Sequence, residues 1–169
     1  MNRTAIAAWN FSFFVLLSFY SIGTGMIESF LNYPSWYLIG PTEAWLDYRE
    51  LLTQRIIPLL AMPALLLQTI SNIIVIVYRP VAVPRWTVWI TLLLLVTGVV
   101  SSAIVQIPIQ IALDRTYNKE MLDELINSDL YLRVLTGVIR GIIILYMLQC
   151  IIKERMIQRV TIDDKIIKQ

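Results

Sequence analysis

The stretch LYLRVLTGVIRGIIILYMLQCII, from Leu130 to Ile152, decides the fold. It is long enough to cross a hydrocarbon core of about 30 Å, which takes roughly 20 helical residues. It has no alternation of apolar and polar positions, so it reads as helix rather than strand, and a membrane barrel would need at least about eight strands. Two arginines, Arg133 and Arg140, nevertheless sit inside it. Three further stretches have the same character: residues 5–31, 56–78 and 86–113. The first and third exceed the minimum length, which predicts tilt or protruding ends. The expected fold is all-α, an integral membrane four-helix bundle forming one domain over residues 1–169.

Composition agrees with this reading. Of the 169 residues, 57% are hydrophobic, and the mean hydropathy is +0.68. A soluble core could not hide that many long apolar runs. A net charge of +2 gives no basic face for nucleic acid. There is no histidine, and the single cysteine, Cys150, lies in an apolar run as a packing residue. No metal site and no cofactor are therefore expected. Arg3 followed by an apolar stretch looks at first like a signal peptide. That stretch is too long for a signal core and no A-x-A-like site follows it, so it is read as the first span, retained.

The connections differ in kind. Residues 32–55 carry Tyr33, Trp36, Tyr37, Trp45 and Tyr48, aromatics suited to the headgroup level. Within them Thr42 is placed to cap a short interfacial helix bearing Trp45 and Leu46. Residues 79–85 form a tight link in which Pro84 suits the first turn of the third helix. Residues 114–129 contain an amphipathic segment, with Met121, Leu122, Leu125 and Ile126 opposite Glu120, Asp123 and Glu124, expected to lie on the membrane surface. Short interfacial helices are thus expected in the first and third loops, and residues 153–169 form a tail that extends the fourth helix.

Orientation follows from the loop cations. One side carries Arg3, Arg79, Arg85, Lys153, Arg155, Arg159, Lys165 and Lys168; the other has only Arg49, Arg55, Arg115 and Lys119. Both termini are therefore expected in the cytoplasm, and a bacterial inner membrane is the expected location.

Polar residues inside a bilayer are costly, so their positions carry information. The first span has Ser18, Ser21, Gly25 and Glu28 on one face; the second has Gln68, Ser71 and Asn72. The third has Gly98, Ser102, Gln106 and Gln110 in an i, i+4 row, and the fourth has Arg133, Thr136, Gly137, Arg140 and Gly141. Turning all four faces inward makes one polar cluster. Arg140 lies roughly 15 Å into its span, near the midplane. An unpaired guanidinium there costs at least about 2.5–3.5 kcal/mol. Glu28 reads as the one carboxylate within a span, so the sequence predicts an Arg140–Glu28 pair, with Gln106 or Gln68 taking the remaining donors. Arg133 competes for Glu28. Pro63 and Pro108 each remove a helix hydrogen bond and predict kinks in the non-cytoplasmic half. Gly137 and Gly141 have the small-xxx-small spacing of packed membrane helices.

The segments Gly25 to Glu28 and Tyr33-Pro34-Ser35-Trp36 resemble the end of the first span in a broad family of small bacterial four-span membrane proteins of unknown function, related to the anthrone-oxygenase-like membrane proteins. Gln106, Pro108 and Ile109 resemble that family's third-span motif, and Leu132-Arg133 followed by Arg140 resembles its fourth-span pattern. The chain departs from the family in two places. Many members have an Asn-Trp pair before the first arginine of the fourth span and a His after Gln-x-Pro; here Asp129, Leu130, Tyr131 and Gln110 stand there. The resemblance implies a four-helix bundle with matching positions at Glu28, Gln106, Arg133 and Arg140, and it implies oxygenase-like chemistry.

Three functional readings stay open on the sequence. In one, the cluster of Glu28, Arg140, Gln106, Arg133, Gln68, Asn72, Ser102 and Gln110 binds an amphiphilic small molecule, a lipid or a membrane partner subunit. In another, the chain is a cofactor-independent membrane enzyme acting on a lipid-soluble aromatic substrate. In the third, the polar groups only hold helices together. No nucleophile–His pair, metal-ligand cluster or glycine-rich phosphate loop is present. Four spans without an internal repeat offer little machinery for alternating access.

Overall fold

A chain with long apolar runs satisfies its backbone most completely as helix, because every N–H then finds a carbonyl within its own segment. The computed structural model describes residues 3–167, with side chains described for all of these except 56, 57, 60, 61, 64, 160 and 162–167. Among the described residues there is helix and no strand. The helices join end to end into four runs: Arg3–Ile39, 45–77, Arg85–Leu113 and 119–167, separated by residues 40–44, 78–84 and 114–118. The first run packs on the second and the fourth, and the third packs on the same two. First and fourth run antiparallel, since Ser18 meets Arg140, Ser29 meets Asp129 and Tyr37 meets Asp123.

Arg3–Ile39, Arg85–Leu113 and Lys119–Arg159 are each long and apolar enough to cross a membrane; in the second run the apolar helix is the shorter Leu65–Val77. The outward side chains are apolar too, with Leu16, Leu93 and Ile142 all more than 60% exposed. Apolar groups on that scale belong against lipid, and the protein is membrane-embedded.

The interior is layered. Near the termini Phe11, Phe14, Val75, Val83, Val88, Ile144 and Met147 form one apolar core. At the opposite end Tyr33, Trp36, Trp45, Leu52, Leu113, Leu122 and Leu125 belong to a second, aromatic-rich core. Polar side chains fill the space between.

Each run widens into π-helix in the half away from the termini, at Glu28–Asn32, Leu52–Ala61, Ser102–Gln106 and Leu130–Val134. Tyr33, Ile107 and Leu135 each donate their N–H to a carbonyl five residues back. The next residue is Pro34, Pro108 or Thr136. A proline has no N–H and its ring crowds the carbonyl four residues back, so an extra residue in the turn relieves both problems. Thr136 reaches the same result by another route, with its hydroxyl donating to the carbonyls of Leu132 at 2.7 Å and Arg133 at 3.1 Å. Where the sequence predicts kinks at Pro63 and Pro108, the backbone answers with π turns beside them.

The short helices expected in the first and third loops exist as Tyr33–Ile39, Trp45–Leu51 and Lys119–Asp129, but each continues a run instead of standing apart from it. The apolar face of Lys119–Asp129 is buried, with Leu122 and Leu125 inside the aromatic core. Thr42 is not the cap expected of it. Ala44 holds that position without a side-chain bond, while the Thr42 hydroxyl donates back to the Ile39 carbonyl at 2.6 Å. A true cap is found at Asn118, whose side chain accepts from the Glu120 and Met121 N–H groups. Pro84 stands one place earlier than expected, as the residue before the third run. The tail continues the fourth helix to Ile167, and residues 168 and 169 of the expected tail lie outside the described residues.

Gly40 closes the first run beneath the ring of Tyr117, and a β-carbon at Gly40 would overlap that ring. Tyr117 is itself held edge-on to Trp45 at 5.6 Å between centroids. Gly40→Ala is therefore expected to destabilise the protein by about 1–3 kcal/mol through overpacking. In a Tyr117→Ala background the same change should cost less, with the 2.7 Å approach to the Trp36 carbonyl remaining; a thermal-unfolding double-mutant cycle in detergent checks this non-additivity.

Candidate functional site

The polar residues predicted to form one cluster separate into two groups at different depths. The outer group begins with Asp129, a carboxylate with no exposed surface. It is paired with Arg133 one turn along its own helix at 2.6 Å, and it accepts a hydrogen bond from Ser29 of the first run. Arg133 Nη2 also donates to the Tyr33 hydroxyl at 3.4 Å, and its guanidinium lies 5.7 Å from the centre of that ring. Gln110 of the third run donates to the same hydroxyl at 2.9 Å. Glu28 sits within Coulomb reach of Arg133, Asp129 and Arg49, with the Asn32 side chain against it.

Arg49 extends this group toward the loops. It is 2% exposed, pairs with Asp114 at 2.5 Å and donates to the Gln110 carbonyl at 3.2 Å. Its Nη1 has no hydrogen-bond partner, but the guanidinium carbon lies 4.4 Å from the centre of the Trp36 ring and 5.6 Å from that of Trp45. A desolvated cation over an indole face gains about 2 kcal/mol or more, which offsets the missing bond. Trp36 is fixed in turn by Asn32 and Tyr48, and Trp45 by donating to the Leu113 carbonyl at 2.9 Å. In this outer group both arginines have a carboxylate within ion-pair distance, although Asp129 Oδ1 and Arg133 Nε, close as they are, make no hydrogen bond.

The inner group has an arginine with no ion pair among the described residues. Arg140 is 4% exposed. Its Nη2 donates to Ser18 Oγ at 3.0 Å, its guanidinium lies 6.0 Å from the centre of the Phe14 ring, and its Nε has no partner. On the second run Gln68 and Asn72 are buried as well, and Gln68 Oε1 and both polar atoms of the Asn72 amide are unpartnered. Asn10 Nδ2 is in the same condition.

The expected Arg140–Glu28 pair does not form. Ser18, which Arg140 reaches, lies ten residues from Glu28 on the same helix, about 15 Å at the helical rise. That is beyond the reach of an arginine side chain already committed to Ser18. Nor does either glutamine serve Arg140: Gln106 Nε2 donates to Ser101 at 3.0 Å within its own helix, and Gln68 Oε1 has no partner. Glu28 is joined by a second interior carboxylate, Asp129. Ser102 opens the π turn of the third run, half-buried, and Gln110 belongs with Tyr33.

Sequence reasoning missed Ser18 as the partner of Arg140, and it missed Asp129, Tyr33, Arg49 and Asp114 altogether as members of a site. The spacing of Asp129 and Arg133, four residues apart, was the available signal. Placing Asp129 in a loop and Arg49 among the surface cations concealed it. Among the described residues no His, Cys, Asp and Glu group is arranged to hold a metal ion. No protein-family model, curated protein or solved structure matches the chain.

Removing one partner of a buried pair leaves the other without compensation, at a cost of about 3–5 kcal/mol for full burial. Arg133 keeps 26% of its side-chain surface exposed, so Asp129→Asn is expected near the lower end of that range. Glu28→Gln, which leaves the Asp129–Arg133 pair intact, should cost less. Unfolding midpoints of the two variants in the same detergent give the comparison.

Proposed function

We propose that the chain is a four-span helical bundle of a bacterial inner membrane, with both termini in the cytoplasm, that binds an amphiphilic small molecule through its interior polar groups. The observation that carries the reading is Arg140. A guanidinium this deep, with one side-chain hydrogen bond and an unpartnered Nε, is poorly compensated by the protein alone. The unpartnered Gln68 and Asn72 amides add donors and acceptors in the same half of the bundle. Together they offer a carbonyl, phenol or carboxylate more hydrogen bonds than the helices use among themselves.

A structural role is the second reading, and the outer group favours it. Asp129, Arg133, Tyr33, Gln110 and Ser29 bond to one another across three runs, as polar groups that hold membrane helices together do. The ligand-binding role is therefore assigned to the inner group and the structural role to the outer one.

Native mass spectrometry of the purified protein tests the assignment. A stoichiometric amphiphile is expected on the wild type, lost in Arg140→Leu while helicity and unfolding temperature are retained. Finding no bound molecule, with Arg140→Leu affecting only stability, would overturn the binding role. The topology has its own check: in a Cys150→Ser background, a cysteine replacing Lys168 should react with membrane-impermeant thiol reagents only after lysis, and one replacing Glu43 should react in intact cells.

A further inference from the structure

At the end of the bundle where the termini lie, the runs splay around a half-open cleft of about 1040 Å³. Its rim carries Arg3, Arg79, Arg85 and Arg155, against one carboxylate, Glu154. Among the described residues none of the four arginines is ion-paired. Arg79 is held in place by donating to the Val83 carbonyl at 2.5 Å, and Arg3 by lying 5.9 Å from the centre of the Tyr78 ring. Arg85 opens the third run, whose N-terminus has no side-chain cap, so free backbone N–H groups and the positive end of the helix dipole face the same region. The buried part of the lining is apolar: Ala7, Phe11 and Val88, with the half-buried Leu148 beside them.

A basic rim over an apolar floor matches a molecule with an anionic head and a hydrocarbon tail. The volume stands at the upper end of the ~300–1,000 Å³ typical of small-molecule sites, far more than an inorganic anion fills. Basic pockets between membrane helices are suited to acidic headgroups, and each arginine near such a group contributes attraction. We propose that this cleft is a binding site for a phosphate-bearing amphiphile, an anionic phospholipid drawn from the surrounding bilayer. It lies apart from Arg140, with Phe14, Ile144 and Met147 packed between them.

The full chain, purified in neutral detergent, is titrated with phosphatidylglycerol, phosphatidylcholine and inorganic phosphate and followed by native mass spectrometry. Phosphatidylglycerol should bind one-to-one and saturably, at least about ten-fold more tightly than phosphatidylcholine, with inorganic phosphate competing only weakly. Arg3→Gln and Arg85→Gln should each weaken it about five-fold. Arg85→Lys should restore most of the loss. Arg159→Gln, outside the cleft, should change nothing, and Ala7→Leu, which narrows the floor without altering charge, should weaken the lipid alone. Arg140→Leu should leave phosphatidylglycerol binding intact, which separates this site from the interior one. Equal retention of the two lipids, an equal effect of Arg159→Gln, or full displacement by inorganic phosphate would overturn the proposal.

Discussion

Asp129 bears a buried carboxylate, and such a group is tolerated only when a countercharge or hydrogen bonds compensate it. Arg133 supplies the countercharge from the same helix, so the pair by itself would say nothing about how helices meet. Ser29 is what makes the group a tertiary constraint, because its hydroxyl comes from the first run. Once Ser29 and Asp129 are matched, the antiparallel register of first and fourth runs is set. Eleven residues separate Ser18 from Ser29, and eleven separate Asp129 from Arg140, so the same register delivers Arg140 to Ser18. It also brings Phe11 and Phe14 of the first run and Ile144 and Met147 of the fourth into one apolar core. The register that satisfies the buried acid thus decides which partner the buried arginine can have.

The π turns act on the same half of the molecule. Four helices widened at the end away from the termini carry side chains there at angles that a regular α-helix would not allow. Tyr33, whose N–H closes the first of these turns, reaches both Gln110 and Arg133 with one hydroxyl. Gln106, at the end of the third, folds back on Ser101 instead of pointing to the fourth run. The prolines behind two of these turns therefore shape the polar network as well as the backbone.

The apolar stretches, their helical character and the basic bias of one end could be read from residue order alone, because length and composition act locally. Pro63 and Pro108 could be read as disruptions, but whether a helix kinks or widens depends on the neighbours it must fit. The polar cluster was legible as a set of residues and illegible as a set of pairs. Helical periodicity gives the face on which Glu28, Ser18 and Ser21 lie, yet axial depth relative to another helix depends on register, which periodicity does not contain. An error of three turns was enough to join Arg140 to Glu28. Arg49 failed for a different reason. Loop cations are counted as solvated charges, and nothing in the spacing of Trp36, Trp45 and Arg49 says that the two rings will enclose the guanidinium.

Taken along its axis, the interior alternates between groups that the protein satisfies and groups that it does not. The end away from the termini is closed by an aromatic core in which Arg49 and Asp114 neutralise each other. Below it the acid, the arginine and the tyrosine of the outer group are joined by an ion pair and a hydrogen bond, with Asp129 Oδ1 and Arg133 Nε left without hydrogen bonds. Then come Arg140, Gln68 and Asn72, whose hydrogen-bonding capacity exceeds what surrounds them. An apolar core follows, and beyond it the open cleft rimmed by arginines. In the outer half each interior arginine has a carboxylate within ion-pair distance, Arg49 with Asp114 and Arg133 with Asp129, whereas Arg140 has none among the described residues. The buried Arg140 and the cleft arginines, all without an ion pair among the described residues, lie in two layers on the side of the termini with an apolar core between them. That distribution is why the proposed binding roles fall in the half nearer the termini and the proposed structural role in the other.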